Sequence, residues 1–170
     1  DVLKSMSGKT IEIRNTDAEG RVILADALTY AVRYKPKVVI DVATLTGAAV
    51  VALGERASAL FTKSDKLAEA LTEAGEETNE YIWRMPLWDE YEADIKGEVG
   101  DVTNTHNKNS RYGGAINGAM FLYQFAKNHP WDWAHIDIAP RMESIPEDNL
   151  ATGALGTPVR LLTKFIQEWK

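Results

Sequence analysis

The densest group of polar side chains in the sequence is the run NTDAEGR at residues 15–21. Its two carboxylates, Asp17 and Glu19, are two positions apart, and on extended chain such side chains point the same way, roughly 7 Å apart. Together they could flank a pair of metal ions spaced by about 3.5–4 Å. Arg21, beside them, could hold an anion or a developing oxyanion. The run therefore predicts a combined metal and anion site.

The same run also resembles the start of a helix. Thr16 and Glu19 have the spacing of a capping box, and acidic residues are favoured in the first turn of any helix. Spacing alone therefore leaves a purely structural role for these residues open beside the metal site.

A few histidines offer further candidates. His135 and Asp137 share one face of a predicted strand and resemble a metal-binding pair, although we favour a structural role for both. His106 and His129 lie in polar loop or helix-end contexts, where a solvated histidine is the ordinary case. The sequence has no cysteine, so a metal would be bound by oxygen or nitrogen ligands.

Strand and helix patterns alternate around these residues, as in α/β folds. Residues 10–13 read as a strand, 14–20 as a polar turn, 21–34 as a helix, and the β-branched run at 38–42 as a strand buried on both faces of a sheet. The acidic run lies where a strand is followed by a helix, which is where α/β folds place their sites.

The rest of the chain continues this alternation. We predict helices at 46–54, from Ser64 to about 78, at 115–128 and at 159–169, strands at 57–62 and 133–138, and a long irregular surface segment at 83–114. No internal repeat or low-complexity linker interrupts the chain, so we expect one domain covering residues 1–170.

Composition narrows the classes of partner. The 170 residues are 45% hydrophobic and carry a net charge of −6, which argues against nucleic acid and anionic membrane as partners. Apolar runs such as 48–53 are far shorter than the roughly 20 residues that span a bilayer, and no signal peptide is visible. We therefore expect a soluble protein, and the absence of cysteine fits a cytoplasmic one.

Residues 15–28, NTDAEGRVILADAL, resemble the signature of the leucyl (cytosol) aminopeptidase family almost residue for residue. Further matches follow at residues 41–48 (DVATLTGA), 83–88 (WRMPLW), 113–116 (GGAI) and 135–139 (HIDIA), so the resemblance covers nearly the whole chain. It implies an α/β three-layer sandwich with a mixed, largely parallel central sheet. It also implies an enzyme that removes N-terminal amino acids, leucine and others, from peptides.

The resemblance assigns roles to individual residues. Glu19 would bridge two metal ions, and Asp17 would bind through its carboxylate and its backbone carbonyl. Arg21 would hold a bicarbonate ion that accepts a proton from the metal-bound water. The backbone of Leu45 and Gly47 would hydrogen-bond the peptide, and Thr44 would lie near its first side chain.

The resemblance also implies cofactors and partners. Two divalent ions, zinc or manganese and alternatively cobalt or magnesium, suit such a ligand set, and the family forms homohexamers. The family's other ligands, a lysine and two aspartates, and a catalytic lysine come from a segment upstream of the position that matches Asp1. We therefore expect a fragment or processed product, with a fold truncated at its N-terminal side.

Two departures from the family pattern concern the site. Residues 105–112 form a longer and more polar link than is usual, and Pro140-Arg141-Met142 replaces small residues of many relatives. Two other functions stay open. The chain could be a non-catalytic assembly or interaction module, or it could bind DNA as some bacterial relatives do, against which the net charge argues.

Overall fold

The computed structural model describes residues 1–108 and 110–169. Its strands are β1 Val2–Lys4, β2 Thr10–Glu12, β3 Val38–Ala43, β4 Ser58–Phe61, β5 Ile82–Arg84, β6 Val102–Thr103 and β7 Asp132–Asp137. Its α-helices are α1 Glu19–Ala31, α2 Gly47–Leu53, α3 Asp65–Thr78, α4 Gly114–Ala126 and α5 Val159–Glu168. The predicted α/β fold is confirmed.

The larger sheet has the strand order β3-β7-β4-β5 and is mixed, as predicted. β3 runs parallel to β7 and β4 parallel to β5, whereas β4 and β7 are antiparallel. Along β7 the side chains alternate: Trp133 packs in the core shared with α1 and α4, and Ala134 and Ile136 pack in the core shared with α3 and α5. Helices thus cover both faces of this sheet.

β3 was predicted to be buried on both faces, and its side chains do pack against both cores, but only partly: Val39 contacts one core, and Val38, Ile40 and Val42 contact the other. Within the described residues β3 pairs only with β7, so it is an edge strand, and of its residues only Asp41 is buried. A β-branched run favours a strand but carries no information about how many neighbours that strand has.

The region predicted as irregular, residues 83–114, contains more structure than expected. It includes most of β5, a 3-10 helix at Asp89–Ile95, and β6, which pairs in parallel with β2 in a smaller sheet of order β1-β2-β6. Leu87, Ile95 and Val102 are buried. Strands of two or three residues are too short to show a period-2 pattern, which is why the sequence did not predict them.

The helix boundaries follow local capping chemistry. Ser64 caps α3 as predicted, with its Oγ accepting the N–H of Leu67 at 3.3 Å. That helix ends at Thr78, followed by Asn79 in the left-handed conformation at φ 55°. Across the described ranges, 1–108 and 110–169, no helix is both long and apolar enough to cross a bilayer.

Candidate functional site

The acidic run begins with a turn. Residues Thr16–Ala18 form one turn of 3-10 helix, and α1 begins directly after it, at Glu19. The Oδ1 of Asn15 caps the turn by accepting the N–H of Asp17 at 2.9 Å. The extended-chain geometry predicted for the two carboxylates is therefore wrong, because the backbone already turns at Thr16.

The capping box considered for this run does not form. The cap is provided by Asn15, and Ala18, which precedes α1, makes no side-chain cap hydrogen bond. Asp17 and Glu19 are exposed, and neither carboxylate has a hydrogen bond or ion pair with any residue that the structure describes. Two negative charges thus lie unpaired at the start of α1, where the helix dipole favours an anion but no side chain neutralises them.

These two carboxylates fit part of a divalent metal site. Their oxygens are ligands that zinc, manganese, cobalt and magnesium accept, and both are free of protein partners. Among residues 1–108 and 110–169, however, no group of three or more histidine, aspartate or glutamate side chains could hold an ion. Asp17 and Glu19 can therefore contribute to a site that needs further ligands.

Arg21 lies in the first turn of α1 and is buried, with 8% of its surface exposed. Its Nη1 donates to the backbone carbonyl of Asn104 at 2.9 Å, and its Nε is buried without a hydrogen-bond partner in the structure. Burial lowers the pKa of Arg21, and the charge of the Asp137 carboxylate acts in the opposite direction. Arg21 is thus a buried cation with one donor that no described residue uses, and the bicarbonate ion expected there stays a prediction.

Gly118 on α4 connects Arg21 to the loop between β3 and α2. A Cβ atom at Gly118 would lie 3.4 Å from Nη2 of Arg21, 3.3 Å from Cδ2 of Leu45 and 3.1 Å from Cγ2 of Thr46. Because Gly118 has no side chain, α4 packs closely against Arg21 and against the loop of residues 44–47. The structure therefore brings the predicted anion-binding arginine close to the predicted substrate-binding loop. The sequence analysis did not single out Gly118.

The loop of residues 44–47 is held by Asp137. The carboxylate of Asp137 is fully buried; its Oδ1 accepts the N–H of Leu45 at 3.0 Å, and its Oδ2 accepts the hydroxyl of Thr46 at 2.6 Å. The Oγ1 of Thr46 in turn accepts the N–H of Ala49 and caps α2.

This arrangement refines the predicted substrate-binding residues. The N–H of Leu45 is already bound to Asp137, so only its carbonyl remains for a peptide. Gly47 is exposed at the first position of α2, and its N–H has no partner within the described residues. Thr44 is exposed beside it. Their contact with a peptide stays a prediction.

The second candidate pair, His135 and Asp137, has protein partners for both side chains. His135 Nδ1 lies 2.5 Å from Oδ1 of Asp41, and Oδ2 of Asp41 accepts the indole N–H of Trp133 at 2.7 Å. Asp137 binds the loop described above and the N–H of Ala139. The structural role favoured for both residues agrees with these contacts.

The histidine at position 106 is less exposed than expected. Its side chain is 11% exposed, its Nδ1 accepts the N–H of Lys108 at 3.0 Å, and its Nε2 is 3.7 Å from Asp94. The expectation of a solvated His106 is therefore wrong, because the 3-10 helix at Asp89–Ile95 contributes a packing partner. Asn109, within the polar link at 105–112, lies outside the described residues.

Removing the Asp137 carboxylate should destabilise the protein strongly. Asp137→Ala leaves three donors without an acceptor, two of them buried and one partly buried, so we expect the free energy of unfolding to fall by about 3–5 kcal/mol. Urea denaturation measures this. Asp132→Ala is the matched control: Asp132 is exposed at the start of the same strand, and its loss should change the free energy by less than about 0.5 kcal/mol. Equal effects of the two substitutions would contradict the role given to Asp137.

A family model described as the catalytic domain of the cytosol aminopeptidase family matches residues 1–163. Probable cytosol aminopeptidases of Methylobacillus flagellatus and Chlorobaculum tepidum are 52% and 50% identical to the chain, over 99% of its length in each case. Those matches cover 32% and 33% of the two relatives.

A solved structure, a mutant of tomato leucine aminopeptidase, superposes with a TM-score of 0.88 at 43% identity. The match covers 98% of this chain and 31% of the tomato chain. The chain thus spans about a third of the length of the relatives it matches.

Proposed function

The chain belongs to the cytosol aminopeptidase family, and from that membership we propose that it forms part of a metal-dependent aminopeptidase that removes N-terminal residues, leucine among them, from peptides. The peptidase class follows from the family. Metal dependence, substrate preference and the role of each residue are our proposal.

One observation carries the proposal: the unpaired carboxylates of Asp17 and Glu19 lie within one helical turn of a buried arginine that has a free donor. Asp17 and Glu19 would hold two divalent ions, zinc or manganese and alternatively cobalt or magnesium. Such ions supply activation of water and polarisation of a carbonyl near neutral pH. Acidic residues at a helix start interact favourably with the helix dipole, and the unpaired oxygens of both carboxylates remain free to bind a cation.

Arg21 would orient a bicarbonate ion as the proton acceptor. Its Nη1 is held by the backbone carbonyl of Asn104, and its buried Nε has no protein partner in the structure. The family resemblance implies that the general base is this bound ion, and that no side chain of this chain acts as the base. The positive charge of Arg21 would also favour the charged form of the bound anion.

The loop at residues 44–47 would align the peptide. The free N–H of Gly47 would donate to the peptide backbone, the carbonyl of Leu45 would accept from it, and Thr44 would lie beside the first side chain. Since Asp137 fixes this loop from within the core, the peptide would meet a preorganised backbone rather than one that must be ordered on binding.

Completion of the site requires further ligands, and we propose that an additional segment of the polypeptide supplies them. The described part of this chain offers no third ligand beside Asp17 and Glu19, and the relatives are about three times as long as the chain. The edge strand β3, with partly exposed Val38, Val39 and Ile40, could pair with further strands of such a segment. A homohexamer is the assembly that we propose for the complete enzyme.

A second candidate function is a non-catalytic assembly or interaction module. It is favoured by the incomplete ligand set of the described residues and by the exposed indoles of Trp83 and Trp88, which could anchor a partner chain. A chain with this role would bind its partner without peptidase activity in the complex.

We expect the 170-residue chain alone not to hydrolyse leucyl substrates with zinc, manganese or cobalt, whereas the longer polypeptide does so. Two carboxylates can bind an ion loosely, but they cannot fix two ions and a water for reaction. The measurement is a leucyl amide hydrolysis assay, with mass spectrometry to exclude an upstream chain. Metal-dependent turnover by the verified short chain would contradict the divided site, and an inactive long polypeptide would favour the assembly module.

A further inference from the structure

We propose that Asn104 is the positioning residue that holds the acidic turn and Arg21 in one fixed arrangement. Asn104 directly follows β6 and is 1% exposed. The effect of Asn104 on catalysis rests on the function proposed above. The effect of Asn104 on the position of the turn does not. No feature of its local sequence pattern singles it out.

The side chain of Asn104 binds both ends of the acidic turn. Its Oδ1 accepts the N–H groups of Arg14 at 2.9 Å and of Asn15 at 3.3 Å. Its Nδ2 donates to the carbonyls of Asn15 at 2.7 Å and of Ala18 at 3.4 Å. Both donors and both acceptor positions of the amide are thus used on one short segment.

The backbone of Asn104 connects this segment to its surroundings. Its N–H donates to the carbonyl of Glu12 at 3.0 Å, at the end of β2, and its carbonyl accepts Nη1 of Arg21 at 2.9 Å. Asn104 therefore contacts β2, the acidic turn and Arg21 on α1. A displacement of Asn104 would change the positions of these three relative to one another.

The placement of the two carboxylates depends on their backbone, because no described side chain contacts the carboxylate oxygens. Neither the Asp17 carboxylate nor the Glu19 carboxylate has a hydrogen bond or ion pair within the described residues, and the backbone N–H of Asp17 donates to Oδ1 of Asn15. Their placement is set by the backbone of residues 15–18, and the Asn104 amide binds that backbone on either side of Asp17. Two metal-binding carboxylates whose oxygens have no protein partner can be kept in a fixed geometry only if their backbone is rigid.

The side-chain chemistry required at position 104 is specific to asparagine. Aspartate has nearly the same shape and keeps the acceptor for Arg14 and Asn15, but it cannot donate to the carbonyls of Asn15 and Ala18. Alanine removes all four side-chain bonds. Asn104→Asp therefore tests the donor half of the arrangement with little change in volume.

The experiment compares Asn104→Asp and Asn104→Ala with the control Asn107→Ala in the full-length protein. Asn107 belongs to the same segment, but its side chain binds the carbonyls of Ala93 and Lys96 instead of the acidic turn. Manganese affinity of the metal-free protein is measured by calorimetry, amide exchange of residues 14–19 by mass spectrometry, and kcat and KM with a leucyl amide.

For Asn104→Asp we expect manganese affinity to fall roughly 10- to 100-fold, the usual scale for residues that orient metal ligands. Exchange in the segment 14–19 should become faster, and kcat should fall with little change in KM. Asn107→Ala should leave manganese affinity and exchange in this segment at wild-type values. A loss of folded protein alone would lower activity without changing the affinity of the folded fraction.

Wild-type affinity and wild-type exchange in Asn104→Asp would overturn the inference. If neither variant at position 104 folds, the wild-type protein still tests the inference. The amides of Arg14 and Asn15 should then exchange as slowly as those of β2. Unprotected exchange of these amides would overturn the inference. An inactive wild-type protein whose exchange and affinity still respond to Asn104→Asp would refute the aminopeptidase function and support the positioning role.

Discussion

Replacing Glu19 by alanine in the full-length protein is expected to abolish peptide hydrolysis. Under the proposed function Glu19 would be a ligand shared by the two ions, so its loss would remove a ligand from both. A loss of roughly 10³-fold or more in kcat/KM corresponds to about 4 kcal/mol or more of transition-state stabilisation. Steady-state hydrolysis of a leucyl amide with saturating manganese or zinc measures this loss.

The substitution should leave the fold intact, since the Glu19 carboxylate is exposed and has no partner within the described residues. Glu76→Ala is a suitable control: Glu76 is exposed on α3, and its carboxylate likewise makes no hydrogen bond or ion pair in the described part of the chain. It should retain wild-type activity. Activity of Glu19→Ala within tenfold of wild type would show that Glu19 is not a bridging ligand.

Arg21→Ala is expected to lower kcat by about 10²–10⁴, the range for a positioned proton-transfer element. The substitution removes the cation that would hold bicarbonate, so added bicarbonate should no longer stimulate the reaction. The rate is measured as a function of bicarbonate concentration at constant pH. Arg21→Lys should recover only part of the rate, because lysine keeps the charge but lacks the planar set of donors.

Because Arg21 is buried against Asn104, its removal could also lower stability, and a thermal melt must accompany the rates. Arg33→Ala provides the control: Arg33 is exposed near the end of the same helical segment, where it lies over the ring of Tyr30. It should keep the response to bicarbonate. A folded Arg21→Ala protein that bicarbonate stimulates as strongly as wild type would remove Arg21 from this role.

The sequence predicted the alternation of strands and helices and the family, because both are carried by long patterns. It predicted a polar turn over residues 14–20, but it placed Asp17 and Glu19 on extended chain rather than in a 3-10 turn and at a helix start, since two carboxylates two positions apart occur in either conformation. The capping box was a reasonable alternative for the same reason. Only the structure shows that Asn15 provides the cap and leaves Glu19 unpaired.

The residues that sequence reasoning missed act over long separations in the chain. Asn104 meets the acidic turn from about 90 residues away, and Gly118 meets Arg21 only because α4 packs on α1. A single asparagine or glycine carries no periodic signal, so the sequence alone could not identify either. Asp137 was recognised as a candidate, but its function as the anchor of the loop at 44–47 depends on the pairing of β3 with β7.

The most direct test of the proposed site is anomalous diffraction from crystals of the full-length protein soaked with zinc or manganese, with data collected at the absorption edge of the metal. We expect anomalous peaks at about 2.0–2.2 Å from carboxylate oxygens of Asp17 and Glu19, the usual distance for such ligands. Glu19 should lie within this distance of two peaks. Strong peaks elsewhere in the protein, with none at these two carboxylates, would contradict a metal site at the start of α1.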